Sequence, residues 1–176
     1  MKERLLLRKT CSIHASDLHF ATVIFPYIAK EIENGSIVKT ILERNEKENI
    51  EKIMKNVGLN SETKEKLKEI DWTESDIIKI RGIFKLLEEE TKCNKKIDII
   101  VLGRNIFIQK VNKAIDLWVK NNMDQIETTE VEINVINCFS FEEAKEIDTI
   151  LNSHDYILKT SGIEELLGEE ELLKAN

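Results

Sequence analysis

Uninterrupted runs of aliphatic residues alternate along this chain with stretches in which apolar residues recur every three or four positions. The most continuous run is KIDIIVLGRN, Lys96 to Asn105. Ile97, Ile99, Ile100, Val101 and Leu102 do not alternate with polar residues. That suits a strand in the middle of a parallel sheet, covered on both faces. Gly103 permits a sharp turn, and Asn105 is placed to cap a helix reaching Asn122, with Ile108, Val111, Ile115, Trp118 and Val119 on its inner side.

The same alternation runs through the rest of the chain. Met1 to Lys9, with Leu5 to Leu7, reads as a short strand or tail, and Thr10 to Ser16 as a polar turn carrying Cys11 and His14. Asp17 would cap a helix through Ile32, with Leu18, Ala21, Ile24, Phe25, Ile28 and Ala29 on one face. Pro26 should kink that helix or loosen its first turns, and Asn34-Gly35 ends it. Ser36 to Glu43 is a strand. Asn45 to Val57 and Ser61 to Ile70 are short charged helices forming an insertion, and Asp71-Trp72 is a turn or brief edge strand. Thr73 or Ser75 would cap a helix to about Lys92. Ile126 to Glu130 reads as a loop and Val131 to Cys138 as a strand extended by Phe139. Ser140 with Glu143, and Ser161 with Glu164, form capping boxes that would open two more helices, the last a Glu-rich one to Glu171. Between them Tyr156 to Leu158 forms a last strand. Strands alternating with helices imply an α/β three-layer sandwich, a mostly parallel central sheet with helices on both faces, in a single domain.

Composition narrows the partners. Among 176 residues, 26 Lys and Arg face 33 Asp and Glu, a net charge of -7. This argues against direct nucleic-acid binding, which needs a local excess of cations. Three widely spaced cysteines without CxxC fit a reducing compartment rather than a disulfide framework. No apolar run approaches the roughly 18 residues that would span a bilayer, and no leader pattern precedes the first elements. The chain reads as cytoplasmic, with no membrane partner.

The residues offer little catalytic chemistry. Neither GxxxxGK[ST] nor GxGxxG occurs, so P-loop nucleotide hydrolysis is not expected. Ligands of parallel sheets sit at the carboxyl ends of strands, which makes Gly103, Arg104 and Asn105 one candidate wall, able to hold an anion on backbone N–H groups. The alternative is a plain tight connection with an exposed arginine. Cys11, His14 and His19 lack local four-ligand spacing for zinc, and only the fold could add Cys93, Cys138 or His154, so no metal or cofactor is expected. Cys138 reads either as an inert buried thiol or as a ligand-contacting one. His14 is a candidate ligand contact, and His154-Asp155 a weak general-base pair or a turn element. Phe20, Phe25, Tyr27, Phe139 and Phe141 could line an apolar pocket, which suits binding better than catalysis.

Four stretches carry a family resemblance: FPYIAKEIENGSIVKTIL from Phe25, DWTESDIIKIRGIFKLLEEE, IDIIVLGRNIFIQKVNKAIDLWVKNN and INCFSFEEAKEIDTILNSHDYIL. The chain resembles the MEDS domain, the sensory domain of methanogens, methylotrophs and DcmR-like regulators. The resemblance implies a RecA-like or KaiC-like fold without a phosphate loop. It also implies a non-catalytic sensor of a C1 or hydrocarbon-derived small molecule that acts through a regulatory protein partner. By motif position it points to Gly35, Arg104, Trp118, Cys138, Phe139 and His154. Of these, Arg104, Cys138, Phe139 and His154, together with Gly103, Asn105 and His14 from the reading above, are the seven candidate ligand residues. Two alternatives remain: an interaction adaptor without a ligand, which could act as a homodimer, and a small-molecule enzyme using His14 or His154.

Overall fold

The computed structural model describes residues 5–75, 80–122 and 130–166. In chain order the elements are β1 (Leu6–His14), α1 (Asp17–Glu33), β2 (Ile37–Leu42), α2 (Lys47–Asn56), α3 (Ser61–Lys68), α4 (Ile80–Cys93), β3 (Lys96–Leu102), α5 (Asn105–Asn122), β4 (Glu132–Ser140), α6 (Ile147–Asn152), β5 (Tyr156–Lys159) and β6 (Gly162–Glu165). The six strands form one sheet in the order β2-β3-β4-β1-β5-β6. All are parallel except β6, which pairs antiparallel with β5. This is the α/β architecture with a mostly parallel sheet that the alternation implies.

Side chains alternate between two faces, and each face builds its own core. Ile41, Val101, Asn137 and Cys11 share one row across the sheet, and Leu42, Leu102, Cys138 and Ser12 the next. The first face packs against α4, α5 and α6 through Ile83, Leu87, Ile108, Ile115 and Ile150. The second packs against α1, with α2 and α3 stacked beyond it, through Ile24, Phe25, Ile28, Ile50 and Leu67. Each such aliphatic side chain, fully buried, contributes about 1.5–3 kcal/mol. The insertion at 45–70 is therefore anchored: Ile50, Met54, Leu67 and Trp72 are all buried in this second core.

The strand order fixes where a site can form. From β1 the chain crosses to the far edge by way of α1, then returns through β3 and β4 with α4 and α5 on the opposite face. Right-handed crossovers require opposite faces for opposite directions of travel. Neighbouring strands β1 and β4 thus send their following helices to opposite sides of the sheet. The carboxyl ends of β1 and β4 are the topological switch point, where a crevice opens.

Several local expectations are corrected. Thr10 to His14 is not a turn. It continues β1, paired with β4 along its length and with β5 at Thr10 and Cys11. The middle of the sheet is therefore β4 and β1, and β3, though buried on both faces, is one strand in from the β2 edge. Ser16, not Asp17, caps α1, accepting a hydrogen bond from the His19 amide at 3.1 Å, and Asn60 caps α3, accepting from the Thr63 amide at 2.8 Å. Helix α1 runs through Pro26 without a break. Pro26 and Thr22, whose carbonyl has no donor from position 26, are both exposed, so the lost bond lies on the solvent side of the helix. Gly35, at φ +82°, closes α1, with the Gly35 and Ser36 amides bonding back to Ile32 and Glu31.

Ser140 ends β4 and supports only one turn before α6 starts at Ile147. Ser161 opens no helix: Gly162, at φ +120°, turns the chain into the β5–β6 hairpin. The Glu-rich run after Leu166 lies outside the described residues, as do 76–79, where the α4 start was expected, and 126–129 of the expected loop.

Candidate ligand site at the strand ends

The carboxyl ends of β1, β2, β3 and β4 surround a pocket of about 240 Å³. Its walls include His14, Glu43, Arg44, Gly103, Arg104, Cys138, Ser140 and Glu143. Of the seven residues expected to contact a ligand, four meet here: His14, Gly103, Arg104 and Cys138. The other three, Asn105, Phe139 and His154, line a separate cleft of about 270 Å³ between α5 and α6 on the opposite face. The pattern along β4 explains the split, since Cys138 and Phe139 are consecutive and must point to opposite sides.

The β3–α5 turn does not present a free anion site. Glu43 occupies it from the end of β2: its carboxylate accepts from the Arg104 amide at 2.7 Å, from Arg104 Nε at 2.8 Å and from Arg104 Nη2 at 2.6 Å. The hydrogen bonds from Arg104 hold the Glu43 carboxyl below the ordinary carboxylate range. Gly103 is required by this approach. A β-carbon there would lie 2.6 Å from Phe107 Cδ1 and 2.8 Å from Glu43 Cβ. Asn105 is not the cap; the Arg104 carbonyl accepts the first bond, from Ile108 N at 3.0 Å, and Asn105 Oδ1 meets the Gln109 amide at 3.3 Å. The expected anion cradle is thus filled by the protein's own carboxylate.

His14 forms the other wall. It ends β1 opposite Ser140, stacks edge-on against Phe20 at 5.2 Å, and has a buried Nδ1 with no hydrogen-bond partner among the described residues. Burial, followed by the neighbouring His19, lowers its pKa from the ordinary histidine value, so the ring is neutral near pH 7. The connection from His14 to α1 is only Ala15 and Ser16. Ser16 Oγ and His19 Nδ1 take the His19 and Ala15 amides, and Asp17 places a carboxylate in the first turn. An anionic phosphate is disfavoured at such a helix start.

The two buried thiols are held in the protonated form. Burial pushes Cys11 up to about 11 and Cys138 higher still; the two sit on opposite faces of the sheet, and Cys93 is exposed. Among the described residues no group of three or more His, Cys, Asp or Glu is placed to hold a metal ion. The expected aromatic pocket does not form. Phe20, Phe25 and Trp72 pack edge-on in series inside the second core, Tyr27 hydrogen-bonds buried Asp98 at 2.6 Å near the amino ends of the strands, and Phe141 is exposed.

In the opposite cleft His154 is fully engaged. Its Nδ1–H donates to the Ile150 carbonyl at 2.6 Å, and its Nε2 accepts from Asn137 Nδ2 at 2.9 Å. Asn137 and Asn112 exchange reciprocal amide hydrogen bonds of 2.9 and 3.0 Å. Asp155 does not orient this imidazole; its carboxylate accepts from the Lys9 amide at 3.0 Å. Trp118 is a core residue of the same face. Sequence reasoning passed over Glu43, Arg44, Ser140 and Glu143, and also the Asn112–Asn137 pair. The only local signal for that pair is an asparagine inside the apolar run VEINVINCFS.

No protein-family model matches the chain, and no curated protein matches it. Among solved structures, an uncharacterized protein from Pyrococcus horikoshii, in complex with an unknown peptide, is similar over 97% of this chain and 86% of its own, at 10% identity and a TM-score of 0.53. A solved ATPase domain is similar over 89% of this chain and 69% of its own, at 12% identity and a TM-score of 0.50. At this identity the likeness concerns the fold, which is RecA-like. Among the described residues no helix is long and apolar enough to cross a membrane.

Proposed function

We propose that this chain is a non-catalytic sensing domain that binds a small molecule at the β1–β4 switch point and signals through a protein partner. The observation that carries the reading is that His14, whose buried Nδ1 has no hydrogen-bond partner among the described residues, lines the strand-end pocket. A buried polar atom without a partner costs about 1–3 kcal/mol, and a ligand group that satisfies it recovers that energy on binding.

The pocket carries Arg44 and Arg104 against Glu43, Glu46 and Glu143. Arg104 is already neutralised by Glu43, so the site favours a small uncharged polar molecule over an anion. A C1 or hydrocarbon-derived alcohol, amide or similar compound, the class the MEDS resemblance implies, fits this chemistry. Glu43 and Glu46 lead directly into α2, and the Glu46 amide donates to the Trp72 carbonyl at 2.9 Å. An occupant that moves Glu43 therefore acts on the helical insertion, the natural output surface. The protonated, buried thiols of Cys11 and Cys138, the fully bonded His154 and the absence of a phosphate loop support binding over catalysis.

A second reading, an adaptor or homodimer without a ligand, is favoured by α5. Ile106 and Leu117 are 57% and 46% exposed beside a groove of about 600 Å³. Native mass spectrometry separates the two. Sensing is supported by a monomer or dimer that retains a small molecule in the wild type and loses it in His14→Phe. A dimer of apo mass in both, broken by Leu117→Lys, would replace sensing with the adaptor reading.

A further inference from the structure

A second cavity, of about 470 Å³, lies between α2 and α3 and shares no residue with the strand-end pocket. Its volume falls within the range of about 300–1,000 Å³ usual for small-molecule sites. The floor is apolar: Ile50, Met54, Leu67, Ile70 and Trp72. Four of these five are buried, and the Trp72 indole is fixed by its donation to the Leu67 carbonyl at 3.1 Å. The rim is cationic. Lys47 and Lys55 reach it from α2, and Lys64 and Lys68 from α3. Only two acids share the lining, Glu51 and Asp71, and Asp71 is committed to the Thr73 amide and hydroxyl at 3.0 and 2.6 Å.

This charge distribution runs against the chain as a whole, which carries 33 acids to 26 bases. The same two helices contain Glu48, Glu62 and Glu65. Among the described residues, none of the four rim lysines makes an ion pair, although Lys66, two positions from both Lys64 and Lys68 on α3, is tied to Glu33 at 2.6 Å and Glu62 at 3.0 Å. A solvated helix face would mix the signs. Here cations border an apolar hollow while the carboxylates of α2 and α3 stay largely outside it.

We infer that the α2–α3 cavity is a binding site for an anionic amphiphile, a carboxylate or sulfonate on an aliphatic or aromatic body. The body lies on Ile50, Met54 and Trp72, and the head group meets the lysine rim, whose long flexible stems can close over it. This site differs from the strand-end pocket in both charge and polarity, so the two would take different molecules.

The test is a proton–nitrogen NMR titration of the full chain with sodium octanoate, and separately with 1-octanol. The Trp72 indole resonance, assigned by its disappearance in Trp72→Phe, is the direct reporter of the floor. Octanoate is expected to move that resonance and the amides of α2 and α3 in a saturable way. Octanol is expected to bind at least tenfold more weakly. Lys64→Glu with Lys68→Glu should weaken octanoate tenfold or more, and the Gln pair should lie between; the spectrum of each variant shows that it is folded. The inference is overturned if octanoate leaves Trp72 unmoved, if shifts scatter over the surface, or if octanol binds equally well and the charge reversals change nothing.

Discussion

Two half-buried histidines lie on opposite faces of the same sheet, and they are treated in opposite ways. His154 is held by Ile150 and by an asparagine pair that uses each amide against the other. His14 packs on Phe20 and leaves Nδ1 with no partner. Both are neutral near pH 7 because burial lowers their pKa. A satisfied polar network gives one core a unique arrangement, whereas an unsatisfied atom on a pocket wall is a cost the fold retains. The difference marks the α5–α6 side as structural and the β1–β4 strand ends as the place to look for a ligand.

The largest break in that comparison is Asn137→Leu. It strips partners from both Asn112 and His154 in a site where Asn137 itself is fully buried. A loss of about 2–4 kcal/mol in urea unfolding is expected, with partial recovery when Asn112→Leu is added. Next is Gly103→Ala, whose β-carbon would collide with Phe107 and Glu43. Overpacking of this kind costs about 1–3 kcal/mol and should displace the Glu43 latch, visible as a shift of the Arg104 amide resonance.

His154→Phe should then lose about 1–2 kcal/mol, because it orphans one Asn137 hydrogen, while the Ile150 carbonyl keeps its bonds from Ser153 N at 3.2 Å and Ser153 Oγ at 2.9 Å. His14→Phe should leave stability unchanged or raise it by up to about 1 kcal/mol while abolishing ligand retention. Equal losses in the two variants would erase the distinction.

Acid sharpens it further. Each histidine has a folded pKa below its unfolded value of 6.5, so the unfolded chain binds more protons in the window between them. Stability is full above about pH 6.5 and falls as pH drops toward the folded values. Asp98 acts with the opposite sign at lower pH, since burial raises its pKa above 3.8. Urea midpoints at pH 7.5 and 5.5 should therefore differ less in His14→Phe than in the wild type. The smallest effect is that of Glu43→Gln: Arg104 is exposed and solvent screens the pair, so the midpoint should barely move while the β3–α5 turn becomes open to anions.

The long strands and helices were legible because their signal is local. Ile97 to Leu102 and Asn105 to Asn122 each carry their period in their own residues. Thr10 to His14 was not, because Thr10 and Ser12 are buried polar residues that look like a turn until β4 and β5 flank them. The two S-x-x-E signals failed for a related reason. Ser140 bonds the Glu143 amide at 3.3 Å in a single turn, and the Ser161 and Glu164 side chains approach to 3.4 Å within the hairpin, so neither motif needs a helix. Gly103, Arg104, His14 and Cys138 could be chosen from their places at strand ends. Glu43 could not, since it reaches Arg104 across 61 positions and only the parallel β2–β3 register brings it there.

The most direct test of the account reads both histidines at once. Imidazole nitrogen resonances of the full chain would be recorded before and after adding the small-molecule fraction of a cell extract. The expected result is a saturable shift of His14 Nδ1, lost in competition when the extract is depleted by prior passage over the protein, with both His154 nitrogens unchanged. A His154 that moves while His14 stays still, or a His14 Nδ1 that never leaves its unbonded position, would contradict the central claim.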